Sequence, residues 1–297
     1  MKTEFDSGFY HEEIRCDYLV TEKQKKIWTV ELEILSLFDE ICRRHSLSYF
    51  VGYGTLLGAV RHQGFIPWDD DLDIIMFRPD YEKLKLIIHD ELPEFYFFQD
   101  VYTDSIVSAF SKIRDERTTA IELKYCETAV PHQGIFVDIF PLDGCYPPGT
   151  NNIELIEKEI WASITNPDLI QRIIETPEYP ASLTRDILQD LISMPIRDRF
   201  RQFEAFVASQ FAAAPDLGLI TSMLKYPSLR YPKVWFEHTL YLPFEHLTVP
   251  VPKGYDKILT TRYKDYHKYV PGRSLHQNII MDPDKSYLEY YKEWGIV

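Results

Sequence analysis

The tract Trp68-Asp69-Asp70-Asp71-Leu72-Asp73 constrains this chain more than any other feature. Four carboxylates within six residues repel one another, and a fold keeps them together only where water or cations screen the charge. The apolar residues Ile74, Ile75, Met76 and Phe77 follow directly, so Asp71 to Phe77 reads as a strand with Asp71, Asp73 and Ile75 on one face. Two carboxylates held rigidly on a sheet offer hard oxygen ligands to Mg2+ or Mn2+. A calcium loop shares the alternation of Asp69, Asp71 and Asp73, but it needs glycine at its sixth position, where Ile74 stands. The remaining alternative is an ordinary solvated acidic turn.

A third carboxylate is available in Ile135-Phe136-Val137-Asp138-Ile139-Phe140, where Asp138 is a lone charge among large apolar residues. Burying it is costly unless it is paired or metal-bound, so Asp138 is either the third ligand, a base for an acceptor proton, or half of a structural ion pair. Upstream, Gly52-Tyr53-Gly54-Thr55 leaves a short strand, Leu47 to Val51, and enters a short helix, Leu56 to His62. Glycine lets backbone approach an anion and a helix start presents N–H groups, which makes Gly54 and Thr55 candidates for binding a phosphate-bearing donor. The alternative is a plain strand-to-helix turn; neither a Walker loop nor a dinucleotide fingerprint is present.

A diphosphate needs cations. Lys112 and Arg114 alternate at the end of a predicted strand, Val107–Ile113, and Arg61 lies close to the acidic tract. Arg61 has a second reading, as a partner for Asp69 or Asp70, which themselves read as residues that shape the loop behind the ligands. Trp68 offers an aromatic face to a quaternary ammonium, or else packs beneath the loop. Arg273 and His276 are weaker candidates for contact with phosphate or acceptor.

Apolar residues at Ile27, Val30, Ile34, Leu37 and Ile41 predict a helix from Glu22 to Arg44, opened by a Thr21/Gln24 capping box. Further strands are predicted at Tyr96–Phe98, Thr118–Leu123 and Ile135–Phe140, and a helix at Tyr81–Asp90. After Pro147-Pro148-Gly149 the chain turns mainly helical to about residue 235, and β character returns at Leu240–Val251 before a helix at Tyr255–Tyr266. The organisation is thus a catalytic core over residues 1–149, a helical insertion over 150–235 and a C-terminal segment over 236–297 that completes the core. Within the insertion, Thr184 to Ala213 packs as core or, alternatively, lies in a membrane surface; Pro195 divides it into two helices.

A net charge of −14 disfavours bulk attraction to nucleic acid or anionic lipid. Cys16, Cys42, Cys126 and Cys145 form no C-x-x-C pair, which suits a reducing compartment and no zinc. With no basic-then-apolar leader and no run of about 20 apolar residues, the chain reads as cytoplasmic, at the inner membrane face if its acceptor is lipid-linked.

The runs Gly54-Thr55-Leu56-Leu57-Gly58-Ala59-Val60-Arg61-His62 and Gly64-Phe65-Ile66-Pro67-Trp68-Asp69-Asp70-Asp71-Leu72-Asp73 closely resemble the signature of the LicD family, which includes the fukutin-related proteins. The resemblance continues at Val137–Gly144 and, more faintly, at Leu242–Glu245 and Val251–Leu259. It implies an α+β, nucleotidyltransferase-like fold: a mixed β-sheet flanked by helices, with a helical subdomain. It implies Asp71 and Asp73 as Mg2+ (or Mn2+) ligands, with Asp138 in the third-carboxylate position. The implied reaction moves a phospho-alcohol, typically phosphocholine from CDP-choline, to a sugar hydroxyl of a cell-surface glycan such as teichoic acid or lipopolysaccharide. Where the family often has Tyr-Gly-Asp, this chain has Tyr263-Lys264-Asp265, so no role passes to Asp265. The alternatives are a nucleotidyltransferase acting on a small molecule, which would release pyrophosphate, and a non-catalytic glycan-binding protein with a relic site.

Overall fold

A computed structural model describes residues 7–104, 106–125, 130–150, 152–219, 229–270 and 279–296. In chain order these form β1 (Glu13–Arg15), β2 (Tyr18–Val20), α1 (Glu22–Arg44), β3 (Tyr49–Val51), α2 (Tyr53–Arg61), β4 (Asp73–Phe77), α3 (Arg78–Glu91), β5 (Tyr96–Gln99), β6 (Ser111–Asp115), β7 (Thr119–Glu122) and β8 (Ile135–Cys145). Then follow α4 (Ile153–Thr165), α5 (Pro167–Glu175), α6 (Arg185–Ser193), α7 (Ile196–Gln210), β9 (Asp216–Gly218), β10 (Tyr231–Pro232), β11 (Thr239–Phe244), β12 (Leu247–Pro252), α8 (Tyr255–Tyr263), β13 (Ile279–Asp282) and α9 (Tyr287–Glu293). The architecture is α+β, with a mixed sheet flanked by helices. Internal contacts divide it into one unit of Met1–Pro141 with Trp235–Val297 and another of Leu142–Val234.

In the first unit the strands run β3-β4-β8-β6-β5. β3 is antiparallel to β4, with Phe50 opposite Ile75, and β6 is antiparallel to β8, with Lys112 opposite Asp138. Every residue of β8 is buried, which its unbroken apolar run foreshadows and which makes its one carboxylate in that run expensive unless neutralised. Helix α1 buries a broader face than its periodic residues alone suggest, because Trp28, Leu32, Leu35 and Phe38 are enclosed as well. Each large apolar side chain so buried contributes roughly 1.5–3 kcal/mol. Only half of the predicted capping box forms: Thr21 Oγ1 accepts from Gln24 N, but the Gln24 side chain reaches the acidic loop. The β character at Leu240–Val251 resolves into the β11–β12 hairpin, turned at Glu245 with φ at 50°. The predicted strand Thr118–Leu123 forms as β7, whereas the β1–β2 hairpin and β13, which pairs with β7, have no counterpart in the sequence pattern.

In the second unit, Asp143–Cys145 of β8 pair with β9, and β9 pairs with β10. Pro195 stands at the N-cap of α7 and separates it from α6, so the apolar stretch is two helices. Leu188, Leu191, Phe200, Phe203 and Val207 are buried, and Trp161 packs on Phe200 and Phe203, which is the core-packing arrangement. No helix among the described residues is long and apolar enough to cross a membrane.

This unit also buries a carboxyl group, Glu157 on α4, whose Oε1 has no hydrogen-bonding partner among the described residues. Burial first, then the neighbouring charges of Asp143 and Glu154, push its pKa up to about 8. Because the folded value lies above the unfolded one, the associated stability is complete below about pH 4.5 and is lost as pH rises towards 8. Across that window Glu157 should lower stability by up to ~1.4 kcal/mol per pH unit. Glu157→Gln is expected to flatten that part of the profile in urea melts at pH 5, 6.5 and 8; an unchanged slope would mean that Glu157 ionises normally.

Candidate active site

The acidic tract is fixed from several sides, all within the first unit. On α1, Gln24 Nε2 donates to the carbonyls of Pro67 and Asp69, at 2.7 and 3.3 Å, and Trp28 Nε1 donates to Asp69 O at 3.1 Å. Trp28 also stacks on Phe65, with ring centroids 4.6 Å apart. On the other side, Glu245 Oε1 accepts from Phe65 N and is held by Arg15 at 2.6 Å, which gives the faint Leu242–Glu245 motif a role in clamping the loop. At the strand entrance, Thr55 Oγ1 accepts from Asp73 N at 2.8 Å and Asp73 O accepts from Gly52 N at 2.9 Å.

This arrangement corrects two expectations. Strand β4 begins at Asp73 rather than Asp71, so Asp71 belongs to the loop and does not share a strand face with Asp73. Helix α2 begins at Tyr53, which places Gly54 and Thr55 in its first turn rather than in a glycine loop. Thr55 is buried with its hydroxyl oxygen on Asp73 N, so it positions the strand start instead of facing a donor.

Asp69 and Asp70, read from sequence as loop-shaping residues, present oxygens that lie with one of Asp71 within 4.8 Å of each other. Oxygens on opposite sides of a bound Mg2+ or Ca2+ sit about 4–5 Å apart, so this all-oxygen set fits a hard divalent cation. Asp73 and Asp138 are nearly enclosed, at 8% and 5% exposure. Burial, then the charges of Asp71, Asp138 and Asp69, hold the Asp73 carboxyl well above the usual carboxylate range, while Arg262 acts against them. Asp138 accepts from Lys112 Nζ at 2.5 Å, and that ammonium also sits 3.5 Å from the Phe136 ring centroid. Burial pulls the Lys112 pKa down, opposed by the Asp138 charge.

Other cations fall differently from their predicted places. Arg114 is fully buried, donating to Gln99 Oε1, Gly134 O and Glu122 Oε1, so it is a structural cation and not one offered to a ligand. Arg61 donates to the carbonyls of Tyr266 and Lys268, and lies over the Tyr269 ring at 5.1 Å, tying α2 to the segment after α8. Trp68 is half-buried between Tyr18 and His62, with centroids 6.2 and 6.3 Å away. Burial first, then Arg61, push the His62 pKa down to about 4, so the imidazole of this aromatic group is neutral at physiological pH. Arg273 and His276 lie outside the described residues.

Two groups escaped the sequence reading. Arg262 on α8 lies over the Tyr53 ring at 4.4 Å and acts on Asp73. Tyr53 carries a left-handed backbone, φ 42°, which costs a non-glycine residue roughly 1–3 kcal/mol and is typical of functional sites. The second group is Glu31 on α1, 1% exposed, whose pKa is raised well above normal by burial and then by Asp71, Asp70, Asp69 and Asp73. Its place among Leu32, Ile34 and Leu35 gives no hint of this, since the target carboxylates are some 40 positions away in the chain.

Gly54 has a specific function here, because a Cβ at that position would meet Asp69 Oδ2 at 2.6 Å. Alanine favours a helix by about 0.5–1 kcal/mol over glycine, so Gly54→Ala should leave stability near wild type while displacing the Asp69 carboxylate. Mn2+ affinity, followed by electron paramagnetic resonance titration, is expected to fall roughly 10-fold or more, the scale for disturbing a ligand's support. Wild-type affinity would show that Asp69 takes no part in cation binding.

A LicD/FKTN/FKRP nucleotidyltransferase-domain model matches residues 46–161, which include the acidic tract, β6 and the whole of β8. The chain is also 30% identical over 248 residues to the lipopolysaccharide cholinephosphotransferase LicD of Haemophilus influenzae, covering 81% of this chain and 89% of the relative. The chain belongs to the LicD family, and it is an enzyme of the transferase class. Shorter matches occur to uncharacterized proteins of Rickettsia prowazekii, 41% identical over 26% of this chain and 30% of the relative, and Rickettsia typhi, 46% identical over 17% and 18%.

Proposed function

We propose that this enzyme transfers phosphocholine from CDP-choline to a sugar hydroxyl of a cell-surface glycan, lipopolysaccharide or teichoic acid, with Mg2+ or Mn2+ as cofactor. The observation that carries the reading is the convergence of carboxylates from the 69–71 loop, β4 and β8, in a chain similar over most of its length to a lipopolysaccharide cholinephosphotransferase. In phosphoryl transfer the protein's part is mainly positioning and charge neutralisation. A divalent cation held by Asp71, Asp73 and Asp138 would supply neutralisation of the donor diphosphate.

The chain's own residues account for the rest. The acceptor oxygen bonds to the choline-linked phosphorus, the bond from that phosphorus to the bridging oxygen breaks, and CMP leaves with the electron pair. Asp138 receives the hydroxyl proton, held in place by Lys112 across the β6–β8 ladder. Arg262 supplies positive charge beside Asp73, and this replaces Arg114 as a cation for the diphosphate. Trp68, with Tyr18 and the neutral ring of His62, offers aromatic faces to a trimethylammonium group, which donates no hydrogen bonds. A glycan still attached to its lipid would bring the enzyme to the inner membrane face.

The test is incubation with Mg2+ and, separately, CDP-choline, CDP-ribitol or CTP, with nucleotide products resolved by chromatography. CMP from CDP-choline, dependent on a glycan acceptor, is the expected result. Pyrophosphate from CTP would overturn the reading in favour of nucleotidyl transfer, and CMP from CDP-ribitol alone would overturn the choline assignment. Trp68→Ala should weaken CDP-choline binding by roughly 0.5–2 kcal/mol, the scale of one cation–π contact, with CMP affinity held; equal loss for both would make Trp68 packing.

A further inference from the structure

Two groups of aromatic rings stand at opposite ends of α2. At its C-terminal end His62 joins Trp68 and Tyr18, the rings that would face a trimethylammonium group. At its N-terminal end Tyr53 meets Phe140 edge-on, with centroids 5.1 Å apart, and Phe140 packs on Phe110 at 4.4 Å. Backbone geometry ties this second group to the carboxylates. Phe140 and Asp138 are two residues apart on β8, so both project from one face of the sheet. Phe110 stands one residue before β6, and Lys112, which holds Asp138, has its Nζ 5.3 Å from the Phe110 ring. Gly52 N, immediately before Tyr53, donates to Asp73 O. Phe140 is buried, while Tyr53 and Phe110 keep part of their surface open to solvent. Tyr53 holds its ring there on a left-handed backbone, φ 42°, which glycine would adopt without strain. Arg262 lies over the Tyr53 ring at 4.4 Å and brings N–H donors to the same place.

We propose that Tyr53 and Phe110, backed by Phe140, form the platform on which the pyrimidine base of the donor stacks. The donor then lies along α2, with its base at the helix start and its ammonium at the helix end. The proposal rests on the reading of a CDP-choline donor and adds the residues that fix its direction. Length supports that direction. His62 follows Tyr53 by nine residues, which at 1.5 Å per residue places the two about 13 Å apart along the helix axis. About twelve bonds separate the base nitrogen from the ammonium nitrogen in CDP-choline, and at roughly 1.1 Å of advance per bond an extended chain covers about 13 Å. Between the two ends run Gly54, beside the Asp69 carboxylate, and Thr55, bonded to Asp73 N, so the diphosphate would pass the acidic residues. A flat base offers a π face to aromatic rings, and its ring carbonyl accepts from a guanidinium such as that of Arg262.

Isothermal titration calorimetry of the full chain in Mg2+, with CMP and ribose 5-phosphate as probes, tests this directly, because only CMP carries the base. Wild type is expected to prefer CMP by roughly 10-fold or more, the scale of one base stacked on an aromatic ring. Tyr53→Ala and Phe110→Ala should each shrink that preference at least about 5-fold through weaker CMP binding, with ribose 5-phosphate affinity held. Tyr53→Phe keeps the ring and should keep the preference. Tyr53→Gly relieves the left-handed backbone, so its Tm should stay close to wild type while the preference is lost, which separates binding from folding. An unchanged preference in Tyr53→Ala and Phe110→Ala would overturn the proposal, as would equal loss of both probes or no preference in wild type. Loss of glycan binding alone would overturn it in favour of an acceptor platform. These outcomes are separable from the functional reading. CMP release from CDP-choline by wild type, with CMP affinity unchanged in Tyr53→Ala, sinks the base platform alone. A CMP preference that depends on Tyr53, with no turnover of CDP-choline by wild type, sinks the functional reading alone.

Discussion

Asp73→Asn is expected to fold normally and to lose roughly three orders of magnitude in turnover, about 4 kcal/mol of transition-state stabilisation. The amide keeps the shape of the carboxylate but removes a negative ligand, and its backbone remains pinned by Thr55 and Gly52. Burial and three neighbouring carboxylates already oppose ionisation of Asp73, so the metal-free variant should be at least as stable as wild type. The sign follows from the raised pKa: wild-type stability from this group is present at low pH and lost as pH rises through the raised value. Asp71→Asn should behave similarly in turnover. Rates of CMP release under saturating Mg2+, paired with Tm in chelator, check both halves. Near-wild-type rates in either variant would remove Asp71 and Asp73 from the metal centre.

The second large effect belongs to Lys112. Its side chain and that of Asp138 are 12% and 7% exposed, and they meet at 2.5 Å directly across the β6–β8 ladder. Removing one partner of a buried pair leaves an uncompensated charge, so Lys112→Ala should cost about 3–5 kcal/mol in urea unfolding. A double change, Lys112→Met with Asp138→Asn, removes both charges and should recover most of that loss. Mg2+ should restore part of the stability of Lys112→Ala if Asp138 faces the cation, because the ion replaces the lost positive charge. A cost below about 1 kcal/mol would mean that the pair is screened like a surface bridge.

Much of the frame follows from local pattern. Helix α1 has the ends that its apolar spacing and its Thr21 cap predict, because a 3.6-residue period over 23 residues is hard to satisfy otherwise. The run around Asp138 declares a fully buried strand, and one carboxylate inside it demands a partner; Lys112 is that partner. The family signature follows from the contiguous residues 54–73, and the longer comparison agrees with it.

What the chain alone left undecided depends on contacts between distant segments. Asp71 leaves the strand because α1 and Glu245 hold the loop as a separate element, and alternation along the sequence carries no trace of those bonds. Lys112 and Arg114 share a strand face, yet Gln99, Gly134 and Glu122 close over Arg114 while Lys112 meets Asp138. Gly54 reads as a phosphate-loop glycine, but its close neighbour is the Asp69 carboxylate, and the need is for room. Glu31 and Arg262 look like solvated helix charges until tertiary packing brings α1 and α8 to the acidic tract. The sequence determined which carboxylates and strands exist, because period and burial are local properties. Only the tertiary structure decided which charges face each other, because electrostatic interaction depends on distance in space and not along the chain.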